Sequence, residues 1–141
     1  MIHQIPNISA MYKEIHRVLK PNGVLCICTE NRWQLLSKYW IRYFPSIVVK
    51  DLKRFPPIAK LKRLAKQQRF NTIKTTFIGE KKWSCITRFI LLQVLGRSMS
   101  VLNLISDNEY ENGTKKLVAA YHNKKIHFSK RGYTFLWLRK E

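Results

Sequence analysis

Acidic residues are scarce in this 141-residue chain: 8 Asp and Glu stand against 27 Lys and Arg, giving a formal charge of +19. Such an imbalance points to an anionic partner, whether nucleic acid, an anionic lipid surface or an acidic companion chain. Glycine is scarce as well. The five glycines at positions 23, 79, 96, 113 and 132 form no G-x-G cluster, which excludes a glycine-rich nucleotide loop within these residues. Cysteine is limited to three, an odd number, and Cys26 and Cys28 alternate along one prospective strand. This pattern predicts reduced thiols packed as small apolar residues and a cytoplasmic chain. Cys85 has no Cys or His at ligand spacing, so no metal site is expected. Long apolar runs are missing: the longest, residues 89–95, contains Gln93 and is too short to span a bilayer. Residues 1–6 show neither a basic segment nor a continuous apolar one, so no signal peptide is visible.

What is present begins with an amphipathic helix. Met11, Ile15, Val18 and Leu19 recur at one helical face while Lys13, Glu14 and Arg17 fall off it, and Asn7 or Ser9 can cap the start. Pro21 cannot continue the helix and Gly23 tolerates positive φ, so the chain is expected to turn and enter the strand Val24-Leu25-Cys26-Ile27-Cys28. That run shows no polar alternation. It predicts an interior strand of a parallel sheet with both faces covered.

Further along, Leu35, Leu36, Tyr39 and Trp40 have helical spacing ahead of Pro45. Pro56-Pro57 opens a helix with Ile58, Leu61, Leu64 and Ala65 inward and Lys60, Lys62, Arg63 and Lys66 outward. Residues 71–78 read as a strand and residues 83–95 as an apolar helix, with Ile86, Phe89, Ile90 and Leu95 as core positions. Ser106 and Glu109 make a capping box for a helix over 107–121, and residues 133–138 read as a closing strand. The order helix, strand, helices, strand, helices, strand is that of an α/β or α+β layer architecture. At this length one domain, residues 1–141, is the expectation.

The segments Ile2-His3-Gln4-Ile5-Pro6-Asn7 and Tyr12-Lys13-Glu14-Ile15-His16-Arg17-Val18-Leu19-Lys20-Pro21-Asn22-Gly23-Val24-Leu25 resemble class I S-adenosylmethionine-dependent methyltransferases of the type 11 kind. The matching stretch in that family is the loop after strand four, the helix that follows and strand five. Residues 55–71 resemble the helix and turn before strand six, with Gln68-Arg69 where glycine is usual. Residues 133–138 would be strand seven, which in that family inserts antiparallel between strands five and six. The resemblance therefore implies an α/β fold comprising part of a Rossmann-like methyltransferase sheet, its strands five, six and seven, with a helical insert at about 83–121. The whole chain would be a single incomplete domain.

For the intact family the resemblance implies S-adenosylmethionine as methyl donor. The family holds that donor with a glycine-rich loop after strand one, an acidic residue ending strand two and a polar loop after strand three, and none of these can be placed here. No cofactor is therefore expected for this chain alone, which should be inactive because aligning two reactants requires binding both. Either the chain is a truncated gene product, the favoured expectation, or an upstream-encoded N-terminal half completes it. His3, Gln4, Thr29, Glu30 and Asn31 would lie at the carboxyl edge of the sheet, where ligands bind in open α/β folds, and are the substrate-side candidates. Their ordinary alternatives are local hydrogen bonding for His3 and helix capping for residues 29–31. No catalytic residue is assigned. Residues 33–69 interleave aromatic with basic side chains as single-strand nucleic-acid surfaces do, so the competing class is a small basic nucleic-acid-binding protein. The same aromatics have helical spacing that serves a core, and this second class is the less favoured. His122 and His127, without partners at metal spacing, are expected in solvent.

Overall fold

The computed structural model describes residues 2–141, except for the side chains of residues 80–82 and 128–131. A 3-10 turn at Ile2–Gln4 leads into α1 (Ile8–Val18) and β1 (Val24–Thr29). Next come α2 (Arg32–Leu36), a 3-10 turn at Tyr39–Arg42, α3 (Ile47–Arg54), α4 (Ile58–Gln67) and β2 (Phe70–Cys85). The chain closes with α5 (Arg88–Leu95), a 3-10 turn at Ser100–Leu104, α6 (Asp107–His122) and β3 (Ile126–Lys140). It forms two compact units, one of residues 1–32, 54–79 and 132–141, the other of residues 33–53 and 80–131.

In the first unit the strands are ordered β1-β3-β2, so the last strand in sequence lies in the middle. β3 runs antiparallel to β1, with Leu25 opposite Leu138, Ile27 opposite Leu136 and Thr29 opposite Thr134. It is antiparallel to β2 as well: Glu141 donates its backbone N–H to the Arg69 carbonyl (3.1 Å), while Gly132 lies against Ile78, so one number rises as the other falls. One sheet face carries the core. Ile27, Leu136 and Leu138 pack there with Tyr12 of α1, Leu61 and Ala65 of α4, and Phe70. α1 ends where expected, but the residue that takes the left-handed conformation is Asn22 (φ 62°), not Gly23. Gly23 serves a different need, because a Cβ there would lie 2.8 Å from the Lys20 carbonyl oxygen. Asn7 caps α1, accepting from the Ala10 N–H at 3.0 Å. Tyr12 is the buried residue of that helix and Val18 is 61% exposed, against the predicted apolar stripe.

Two further expectations for β1 fail. Its residues alternate in burial, with Val24, Cys26 and Cys28 exposed and Ile27 and Thr29 buried, and among the described residues it is an edge strand. All three cysteines are free and exposed, so Cys26 and Cys28 are not core packing residues. A continuous apolar run signals two covered faces only when something covers the second, and nothing among the described residues does so.

The second unit has its own core of Tyr39, Phe44, Ile47, Ile86, Ile90, Val94, Val101, Leu102, Ile105, Leu117 and Ala120. The helix expected from residue 83 starts only at Arg88, capped by Thr87 accepting from the Ile90 N–H, because residues 83–85 continue β2. Phe89 and Leu95, expected inside, are 67% and 49% exposed, and Val94 takes the inner position. The helical pattern at residues 35–40 is split into α2 and a 3-10 turn. Ser106 caps α6 as expected (Oγ to Glu109 N–H, 3.2 Å), yet the Glu109 carboxylate does not complete the box and instead accepts from the Ser46 N–H at 2.9 Å.

Candidate functional site

The carboxyl end of β1 gathers several of the residues singled out from sequence. Thr29 closes the strand on its buried face, 4% exposed, and its hydroxyl has no hydrogen-bond partner among the described residues. The chain then leaves through half-buried Glu30 and Asn31. Asn31 donates from Nδ2 to Thr134 Oγ1 at 3.0 Å, which ties this exit loop to the central strand. Thr29 and Thr134 are direct cross-strand partners, so Thr29, Asn31 and Thr134 form one polar cluster at the sheet end. Thr134 was not legible as a member, because only the register of β3 brings it there. The 3-10 turn carrying His3 and Gln4 packs against β1. His3 lies ring to ring with Phe55 (centroids 4.2 Å apart), whereas Gln4 is exposed.

The Asn31–Thr134 contact at this edge is a neutral one. Partial desolvation raises the Cys28 thiol pKa, and Cys26 and the Glu30 carboxylate add to the rise, which favours the thiol over the thiolate. Among the described residues no group of three or more His, Cys, Asp or Glu could hold a metal ion. The glycines whose surroundings are described all answer to local packing. Gly23 fits the turn before β1 and Gly96 caps α5; Gly113 lets α6 approach Phe44, and Gly132 lets β3 pass Ile78. None stands in a strand-to-helix loop, so these residues do not fit the cradle that a nucleoside-bearing donor requires.

A second polar pair was invisible in the sequence because its members are 84 positions apart. His127, expected in solvent, is 1% exposed. Its Nδ1 faces the Lys125 carbonyl oxygen at 2.9 Å, which can only accept, so Nδ1 carries the proton and Nε2 accepts from the Tyr43 hydroxyl at 2.6 Å. Burial holds the imidazole below its ordinary pKa and the Tyr43 phenol above its own, which suits a neutral pair. Tyr39 lies against the same imidazole, with ring centroids 5.3 Å apart.

Comparison with solved structures matches this architecture to methyltransferases. A candidate methyltransferase from Bacillus halodurans superposes with a TM-score of 0.53 at 10% identity, over 99% of this chain and 60% of that one. The chain has the fold of part of a methyltransferase domain. Strand order β1-β3-β2 with an antiparallel middle strand is the five-seven-six arrangement implied by the sequence resemblance. Also similar are a candidate sarcosine dimethylglycine methyltransferase from Galdieria sulphuraria (TM-score 0.43, 16% identity, 97% of this chain and 49% of that one) and a cyclopropane synthase from Mycobacterium tuberculosis (0.44, 14%, 98% and 50%). The chain thus spans about half the length of the structures it matches. No family model and no curated protein sequence matches it.

Proposed function

We propose that these residues form the acceptor-side part of an S-adenosylmethionine-dependent methyltransferase and do not bind the methyl donor by themselves. The observation that carries this reading is the open side of β1. In a methyltransferase-like sheet the fifth strand has a fourth beside it, yet among the described residues β1 is an edge whose Val24, Cys26 and Cys28 are exposed. The buried, unpartnered Thr29 hydroxyl at the same strand end supports it. On this reading an N-terminal half pairs along β1 and brings the donor-binding loops. His3, Gln4, Thr29, Glu30 and Asn31 then face the acceptor, with the Asn31–Thr134 bond fixing the loop that presents them. Catalysis would consist of alignment and exclusion of water around the transferring methyl group, the donor supplying the electrophile. Three free thiols suit a reducing, cytoplasmic setting, and no helix among the described residues is long and apolar enough to cross a membrane.

Equilibrium dialysis of labelled S-adenosylmethionine against the chain tests this. No binding is expected for the chain alone, and binding is expected once an N-terminal half, encoded immediately upstream, is co-expressed with it. Saturable binding by the chain alone would overturn the reading.

A further inference from the structure

We propose that the outer face of α4 is a docking surface for the phosphodiester backbone of a nucleic acid. The helix is anchored by Leu61 and Ala65, buried in the sheet core, and turns Lys60, Arg63 and Lys66 to solvent at i, i+3 and i+6. These three form one row, advancing about 4.5 Å per step at about 1.5 Å per residue. The local sequence around them carries charge of one sign. Residues 54–79 hold Arg54, Lys60, Lys62, Arg63, Lys66, Arg69 and Lys74 and not a single Asp or Glu. Among the described residues Lys60, Arg63 and Lys66 form no ion pair; the Glu14 carboxylate of the same unit is bonded to Arg17.

A helix face that only needs solvation interleaves Glu with Lys, because opposite charges at i+3 and i+4 attract and like charges repel. α4 instead sets Lys60 beside Arg63, Arg63 beside Lys66, and Lys62 beside Lys66, all unfavourable for the isolated fold. A repeating polyanion relieves that repulsion, and release of its counterions supplies the affinity. The exposed residues flanking the cation row decide against a lipid surface. Ala59 and Gln67 are exposed there, and neither can insert as the Trp, Phe or Leu of an interfacial helix does.

The structure also decides how the nucleic acid is held. Of the aromatics in residues 33–69, Tyr39, Phe44 and Phe55 are buried, Trp40 and Tyr43 are half-buried and Trp33 is exposed, but none of them lies on α4, whose outer face offers no ring to a base. Recognition is therefore through phosphates, with little preference among base sequences. This inference does not depend on the proposed methyltransferase role.

Fluorescence anisotropy with the full chain and labelled oligonucleotides of about 20 nucleotides, RNA and DNA, across roughly 50 to 300 mM salt tests it. The variant Lys60→Gln/Arg63→Gln/Lys66→Gln is compared with Lys115→Gln/Lys116→Gln/Lys124→Gln, an equal charge change at exposed positions on and just after α6. Circular dichroism checks that both remain folded. The α4 variant is expected to bind at least about ten-fold more weakly and to lower the slope of log K against log salt by about 2, since each phosphate left unneutralised on a single strand lowers it by roughly 0.7. The comparison variant should weaken binding less than about three-fold. Equal losses in the two variants, an unchanged slope, or no binding at low salt would overturn the proposal. So would tighter binding to phosphatidylserine vesicles or to polyglutamate than to the oligonucleotides.

Discussion

Arg69 holds φ at 60°, the left-handed region where a Cβ costs about 1–2 kcal/mol. It occupies the turn between α4 and β2 where the sequence resemblance expects glycine, and its carbonyl accepts the Glu141 N–H at 3.1 Å. The local sequence thus retains the turn without the residue best suited to it. Arg69→Gly should raise stability by about 0.5–1 kcal/mol, the relieved strain exceeding the extra chain entropy of glycine, and chemical denaturation would read this as a higher midpoint. A lower midpoint would mean that the Arg69 side chain contributes more than its backbone costs. His127 offers a second test. Its pKa is depressed on folding, so the unfolded chain binds more protons below the ordinary value of 6.5, and the stabilisation present above that value is lost as pH falls toward the folded pKa. Arg42 and Lys125 oppose the protonated ring further. Melting temperature should therefore drop between about pH 7.5 and pH 5.5, and His127→Phe, though less stable at the higher pH, should show a shallower decline. Parallel declines would show that other groups carry the pH dependence. Neither His127 nor its partner Tyr43 was recognisable beforehand, since a buried histidine and an exposed one look alike in sequence.

Among the elements, α4 and the cap of α1 were legible almost residue by residue, because amphipathic spacing and capping chemistry are local. The other end of α1 was not. Lys140, near the C-terminus of the chain, donates from Nζ to the carbonyls of His16 (2.6 Å) and Leu19 (2.8 Å), closing α1 from 121 residues away. These carbonyls lack helical partners and carry the negative end of the helix dipole, so the ammonium both satisfies and neutralises them. Lys140→Met should cost about 1–2 kcal/mol and lower the melting temperature by a few degrees; an unchanged melt would show that water replaces the ammonium without loss. The strands β2 and β3 run beyond the 71–78 and 133–138 that the sequence predicts, because their extensions over residues 79–85 and 126–132 are rich in charged and small residues that carry no strand signal alone. Phe89 and Leu95 were misplaced for the converse reason: in α5 nearly every residue is apolar, so periodicity could not say which side faces inward.

At the scale of the fold the decisive feature is β1, an apolar edge strand among the described residues with no charge or proline to blunt it. Such edges recruit further strands, the intended partner or an unintended one. Lysine on the exposed face should protect the isolated chain: Cys28→Lys is expected to increase the monomer fraction in size-exclusion chromatography at high concentration while leaving the Ile27 side of β1 packed. An identical elution profile for the two proteins would mean that the edge does not drive association. The overall charge of +19 opposes self-association at long range, so raising the salt should widen the difference between the two proteins.

The order of elements, the inward face of α4, the N-cap of α1 and the one-signed charge of residues 54–79 are legible in the amino-acid sequence alone, because periodicity, caps and charge are properties of neighbours. Tertiary contacts alone place β3 between β1 and β2, leave one side and one face of β1 open among the described residues, and bury His127 against Tyr43. Those outcomes depend on contacts between residues scores of positions apart, and strand pairing and burial are set by what covers a segment, which no segment states about itself.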